Sequence, residues 1–133
     1  LTIRFSTTLR TTQATAIATE AGTNAYIRIY TGTQPANPGT AVSGTLLAEL
    51  RGNGTQFGTA SAGVLTLSAT TADSSADAAG TAGWFRVFKS DGTTAVIDGS
   101  AGTSGTDLIL NTAAITLGGN VSITSGTITV SPD

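Results

Sequence analysis

The sequence predicts an all-β protein: a jelly-roll-like β-sandwich of about eight or nine short strands, with one short helix near the N-terminus. Three observations predict it. First, Thr (27 copies), Ala (20), Gly (17) and Ser (12) dominate the chain, while charged residues make up only 11%. Thr is β-branched and suits a pleated, half-buried surface. Second, apolar residues alternate with period two in short runs. Third, Gly, Pro, Asn and Asp separate those runs at close intervals. The 133 residues correspond to one domain spanning 1–133. Leu, Ile, Val and Phe together reach about 22% of the chain, just above the level of roughly 20% below which disorder sets in at high net charge. Net charge is only −2, so a lean but folded core is expected.

The elements follow in order. Leu1, Ile3 and Phe5 alternate with Thr2, Arg4 and Ser6, which predicts a strand with one apolar face. Ser6 or Thr7 then caps a helix that carries Leu9, Gln13, Ile17 and Ala21 roughly on one face and ends at Gly22. Four Thr between residues 11 and 19 weigh against it and keep an irregular loop or strand open. Ala25–Tyr30 predicts a strand with Tyr26, Arg28 and Tyr30 on one face and Ile27 and Ile29 on the other. Pro35, Asn37, Pro38 and Gly39 interrupt any ladder. Thr45–Arg51 resumes a strand and Gly52-Asn53-Gly54 breaks it. Val64–Ser68 is the next strand, and Thr70–Gly83 reads as a surface loop. Trp84–Lys89, the densest apolar run, predicts a central strand. Asp91-Gly92 between it and Thr94–Asp98 is the best hairpin signal in the chain. Gly99–Gly105 reads as loop, Leu108–Leu110 as a short buried strand, and Gly118-Gly119-Asn120 as a turn after Ile115 and Leu117. Val121 and Ile123 alternate, but Ile128 and Val130 fall in the opposite phase. The change lies at Ser125-Gly126, where a β-bulge keeps one long strand or a tight turn makes two.

The composition excludes much chemistry. His and Cys are both absent, so a disulfide framework, a Cys/His zinc site, a Cys nucleophile and a Ser-His-Asp triad are all impossible. Six Lys and Arg against eight Asp and Glu argue against a nucleic-acid partner. No apolar run approaches the roughly 20 residues of a membrane span. The alternating start does not resemble a secretory leader. No catalytic, cofactor-binding or metal-ligating residue is expected, and the chain reads as a non-enzyme. A surface of neutral hydroxyls and methyls has little charge repulsion to keep copies apart, so lateral contact with another protein or with itself is expected.

Several constellations invite a sharper reading. A glycosidase needs two carboxylates in a cleft with sugar-stacking rings. Most acids here fall in expected turns, and Trp84 in an expected core strand. Asp73, Ser75 and Asp77 are spaced like the first ligands of a calcium loop, but Ala78 stands where that loop requires Gly, and Trp84 where it requires Glu. Arg28 and Arg86 each sit mid-strand between aromatics. They read as charges that stack on their neighbours or pair with an acid, ahead of a carbohydrate or anion platform.

One pattern covers most of the chain. The run Trp84-Phe85-Arg86-Val87-Phe88-Lys89-Ser90-Asp91-Gly92-Thr93-Thr94 carries it, followed by Gly102-Thr103-Ser104-Gly105-Thr106-Asp107-Leu108 and by Val121-Ser122-Ile123-Thr124. Ile27-Arg28-Ile29-Tyr30-Thr31-Gly32-Thr33-Gln34-Pro35-Ala36 and Gly44-Thr45-Leu46-Leu47-Ala48 fit it further forward. It resembles small virion structural proteins of tailed bacteriophages. The resemblance implies a capsid decoration or cement protein on the outer capsid surface, bound to the major capsid protein, with the chain itself a homo-oligomer, a trimer being favoured. A tail, neck or fibre-associated module, or a glycan- or receptor-binding sandwich, are the other readings. The resemblance brings no active-site residues. Strand addition across an exposed edge would suit such a role. Leu1, Thr2, Ile3, Arg4 and Phe5 are the candidate interface residues for it, against the alternative that they pair within their own sheet.

Overall fold

The computed structural model describes residues 2–68 and 70–132. One helix, α1 (Thr7–Ala21), precedes nine strands: β1 (Tyr26–Thr31), β2 (Leu46–Gly52), β3 (Val64–Thr66), β4 (Thr70–Thr71), β5 (Gly80–Phe88), β6 (Ala95–Gly102), β7 (Leu108–Leu110), β8 (Ala114–Ile115) and β9 (Ile123–Thr129). They form one curled sheet in the order β3-β9-β7-β6-β5-β1-β2-β4, and β8 pairs the start of β5. The fold is all-β and sandwich-like. The core lies on the concave side, where Ile27, Ile29, Leu50, Leu65, Val87 and Val121 are fully buried. Each such side chain contributes about 1.5–3 kcal/mol by leaving water.

The helix forms where its caps place it. Ser6 accepts the Leu9 N–H at 3.1 Å, and Gly22, at a φ of 68°, ends the last turn. The threonines that weigh against a helix are accommodated by back-bonding: Thr11, Thr12, Thr15 and Thr19 each donate a hydroxyl to the carbonyl four residues earlier. The buried face overlaps the expected one at Gln13, Ile17 and Ala21 but adds Ala14 and Ala18 and leaves out Leu9. Ala14 and Ala21 are buried, Ile17 and Ala18 pack on the core, and Leu9 is 44% exposed. Small side chains let the helix axis approach the sheet, and Leu9 lies beyond the sheet's reach.

β5 is central as expected, paired by β1 on one side and β6 on the other. The β5–β6 hairpin turns at Lys89–Gly92. Gly92 alone takes positive φ (72°), and its N–H bonds the Lys89 carbonyl at 2.9 Å. Asp91 contributes through its side chain, accepting the N–H groups of Thr93 and Thr94, both at 2.8 Å. In β9 the bulge keeps one long strand. Ile109 faces Ser125 and Leu110 faces Ile123, so Thr124 is the extra residue, one place before the expected site. Gly126 is tightly enclosed: an added Cβ would lie 2.9 Å from Leu108 Cδ1.

Four expectations change. Residues 2–6 form no strand, and Leu1 lies outside the described residues. Their alternation is genuine, but no sheet edge is beside them. The Thr70–Gly83 loop carries structure at both ends: Thr70–Thr71 pairs with β2, and β5 begins at Gly80. Asp73 bridges Val121 between them and Ala76 is buried. Gly99, Ser100 and Ala101 continue β6 instead of forming a loop, because β5 pairs Gly99 and Ser100. Val64–Ser68 narrows to β3, with Leu67 bridging Phe57 instead.

The single parallel pair among these strands is β6–β7, joined by only five residues, 103–107. Parallel neighbours ordinarily need a crossover of a dozen residues or more. Here the contact is brief and a side-chain clasp closes the loop. Asp107 accepts the Ser100 N–H at 2.9 Å and its hydroxyl at 2.7 Å, and the Ser100 hydroxyl accepts the Asp107 N–H at 3.0 Å.

Candidate functional site

The N-terminal arm, residues 2–6, stands clear of the sheet. The Phe5 N–H donates to the Pro132 carbonyl at 2.7 Å. Ile3 is 80% exposed and Phe5 37% exposed. With Leu9 they place three large apolar side chains in water within one short stretch. An isolated exposed apolar residue needs no explanation, whereas a run of them marks an interaction surface. Arg4 is exposed too. Every other Lys or Arg has a partner: Arg10 bonds Thr7 and Ala62, Arg28 pairs Glu49, Arg51 meets Tyr26, Arg86 pairs Asp98 and Lys89 pairs Glu20.

Tyr26, Arg28 and Tyr30 of β1 and Trp84, Arg86 and Phe88 of β5 share the face opposite the core, whereas Phe85 belongs to the core. Register places Arg28 beside Arg86, with Tyr26 beside Phe88 and Tyr30 beside Trp84. Each arginine is neutralised by the next strand outward. Arg86 makes a two-pronged contact with Asp98, at 2.6 and 2.8 Å, with side chains only 3% and 2% exposed. Its remaining donors reach the carbonyls of Thr40 at 2.8 Å and Asn37 at 3.4 Å. The proline-containing loop is thereby fastened over the pair. The bond to Asp98 raises the pKa of the guanidinium further, against the opposing effect of burial. Arg28 bonds Glu49 at 2.6 Å and the Gly92 carbonyl at 2.8 Å, with its guanidinium carbon 4.7 Å from the Phe88 ring centre. Trp84 is fully buried, stacked on Tyr30 at 4.6 Å, and donates its indole N–H to the Thr31 carbonyl. Burial also raises the Tyr30 pKa. This face is a closed structural layer, and Trp84 offers no platform to a sugar.

The acids are dispersed. Asp73 accepts the N–H groups of Glu49 and Ser75, both at 3.0 Å, so its carboxylate holds a loop in place. Asp77 is exposed, and among the described residues no group of three acids could hold a metal ion. A groove of about 570 Å³ runs between the end of α1 and residues 55–59, and it is lined by Thr, Ser, Gly and Ala with Phe57. It contains no titratable group. No helix among the described residues is long and apolar enough to cross a membrane.

No family model, curated protein or solved structure matches this chain. The site therefore rests on its own geometry. Of the five candidate interface residues, Thr2, Ile3, Arg4 and Phe5 lie together on the free arm. Sequence reading did not find the acids that pair the two arginines. The signal was an acid at the matching position of each neighbouring strand, but it is visible only once register is known.

Proposed function

We propose that this protein is a non-enzymatic virion structural protein: a capsid decoration or cement protein that binds and stabilises the major capsid lattice. The free arm is the observation that supports it. Its alternating apolar residues Ile3 and Phe5 are exposed, and the Phe5 N–H bonds the Pro132 carbonyl of the C-terminal segment. An extended segment of this kind can add as a strand to a neighbour, gaining main-chain bonds along an edge and pockets for alternate side chains. The composition favours the same role. A chain with only 11% charged residues offers a largely neutral surface to neutral neighbours, and neither His nor Cys is present to carry chemistry. Most of the charged groups hold loops and strands together, as Arg28, Arg86, Asp73, Asp91 and Asp107 do. On this reading the major capsid protein is the partner, and copies of the chain associate with one another.

The test is quantitative mass spectrometry of purified virions, with this chain ratioed to the major capsid protein. A ratio of one, or a simple fraction of one, is the expected result. A handful of copies per particle would place it in the tail or neck, and complete absence would sink the virion reading.

A further inference from the structure

β7 is three residues long, yet it separates two much longer strands, β6 and β9. Inserting one strand sets its flanking strands two spacings apart, about 9.5 Å. Leu108–Leu110 pairs β6 only at Ala101 and Gly102 and β9 only at residues 123–126. Below Asp107 the place of a strand is vacant. There β6 is paired only by β5, over residues 95–100, and β9 only by β3, over 127–129. Two strand edges thus face each other across an open slot. The Asp107 carbonyl caps its upper end by accepting the Thr127 N–H at 3.3 Å.

The slot has a volume of about 190 Å³, with Phe85, Ile97 and Ile128 along it and Asp107 at its end. A wholly apolar void of about 10 Å³ continues inward from it. Cavities near 150 Å³ accommodate a benzene ring, so one branched aliphatic side chain fits here. The slot calls for a short extended segment with an apolar residue facing inward, polar residues facing outward and a cation near Asp107. Asp107 bonds Ser100 and pairs with no cation among the described residues. The arm has those properties: Ile3 and Phe5 on one side, Thr2 and Arg4 on the other, with Arg4 the one cation lacking an assigned partner among the described residues. In the single chain this arm stands outside the slot with Ile3 80% exposed.

We infer that the arm of one copy enters the β6–β9 slot of a second copy as an added strand, joining copies of this chain by strand exchange. Ile3 fills the apolar floor, Arg4 faces Asp107, and the slot-facing peptide groups of β6 and β9 bond the arm's backbone. The inference takes from the proposed function only that the arm is an anchor, and it names a second copy as the neighbour. Its test needs no capsid, so its failure is distinct from failure of the virion reading.

The chain has no cysteine, which makes a cross-link unambiguous. Purified Thr2→Cys protein, carrying a tag, is mixed with Thr129→Cys protein under mild oxidation, because Thr2 of the added arm and Thr127 and Thr129 of β9 share the outward face while Ile3 and Ile128 share the inward one. Thr127→Cys, one pleat along, serves as a second acceptor because a disulfide requires Cα atoms within about 7 Å. Leu117→Cys, 72% exposed and outside the slot, is the control acceptor. The expected result is a disulfide-linked heterodimer with Thr129→Cys or Thr127→Cys in about tenfold excess over the control, as docking raises the local concentration of the pair. No excess with either acceptor would overturn the inference. So would a double variant, Thr2→Cys with Thr129→Cys, that closes only within single chains, because the arm would then fill its own slot.

Discussion

At the scale of single residues, the Arg86–Asp98 pair dominates. Both side chains are almost wholly out of water, which costs several kcal/mol per ion and is offset only by good geometry and full hydrogen bonding. Truncating either partner leaves a buried charge alone. We expect Arg86→Ala or Asp98→Ala to lower unfolding stability by about 3–5 kcal/mol, read from urea titrations. Arg86→Ala should also release the loop at Asn37–Thr40, which limited proteolysis would detect. Arg28→Ala, at a half-exposed pair, should cost about 1 kcal/mol or less through the lost ion pair. Trp84→Ala should cost about 3–5 kcal/mol by opening a cavity beside Tyr30. Asp91 contributes to the acid limb. Bonds from Thr94 and Thr93 lower its pKa to about 2 from the ordinary 3.8. A carboxylate lowered in the folded state stabilises above its unfolded pKa, and that contribution is lost as pH falls from about 4 to about 2. Asp91→Asn should flatten this part of the profile; an unchanged acid slope would show that another carboxyl carries it.

At the scale of elements, the helix and the arm separate cleanly at Ser6. Ser6→Ala removes the bond to the Leu9 N–H and should cost about 1 kcal/mol, measured by thermal or urea unfolding. Deleting residues 1–5 retains that cap and removes the Phe5 backbone bond to Pro132. Its effect on stability should stay within about 0.5 kcal/mol, as for changes remote from the core. Occupancy on particles should nevertheless fall sharply. Unchanged occupancy by a folded, truncated protein would remove the arm from the anchoring role. The helix was legible in the sequence at both ends, because caps are local chemistry. Its buried face was legible only in part, at Ile17 and Ala21, because the sheet beneath decides which side chains find a neighbour. Leu9 is the most apolar residue of its turn, yet it faces water.

At the scale of the whole molecule, a chain without His or Cys has no side chain with an ordinary pKa near neutrality. Stability should therefore be flat from pH 6 to pH 8, with the thermal midpoint constant across buffers at one ionic strength. The alkaline limb belongs to Tyr30, whose pKa burial raises. The unfolded chain ionises there first, so this contribution is complete below about pH 10 and is lost above it. The low charge that leaves the pH profile flat also leaves little repulsion between copies. Association with like molecules is then limited by geometry, and the arm and the slot supply that geometry.

The sequence by itself determined the β class, the helix between Ser6 and Gly22, the central strand around Trp84–Phe88 and the unbroken bulged strand at the C-terminus. All of these depend on side-chain period, capping and turn chemistry, which act over a few neighbouring residues. Only the tertiary structure decided that Arg86 meets Asp98 and Arg28 meets Glu49, since those pairings depend on strand register. It alone left Thr2–Phe5 without a sheet edge, although their alternation is that of a strand. It alone left the slot open beside β7, because a vacancy between strands depends on which strand ends first. Local patterns state what a segment can become; long-range pairing, bound to strand order, decides which edges are filled.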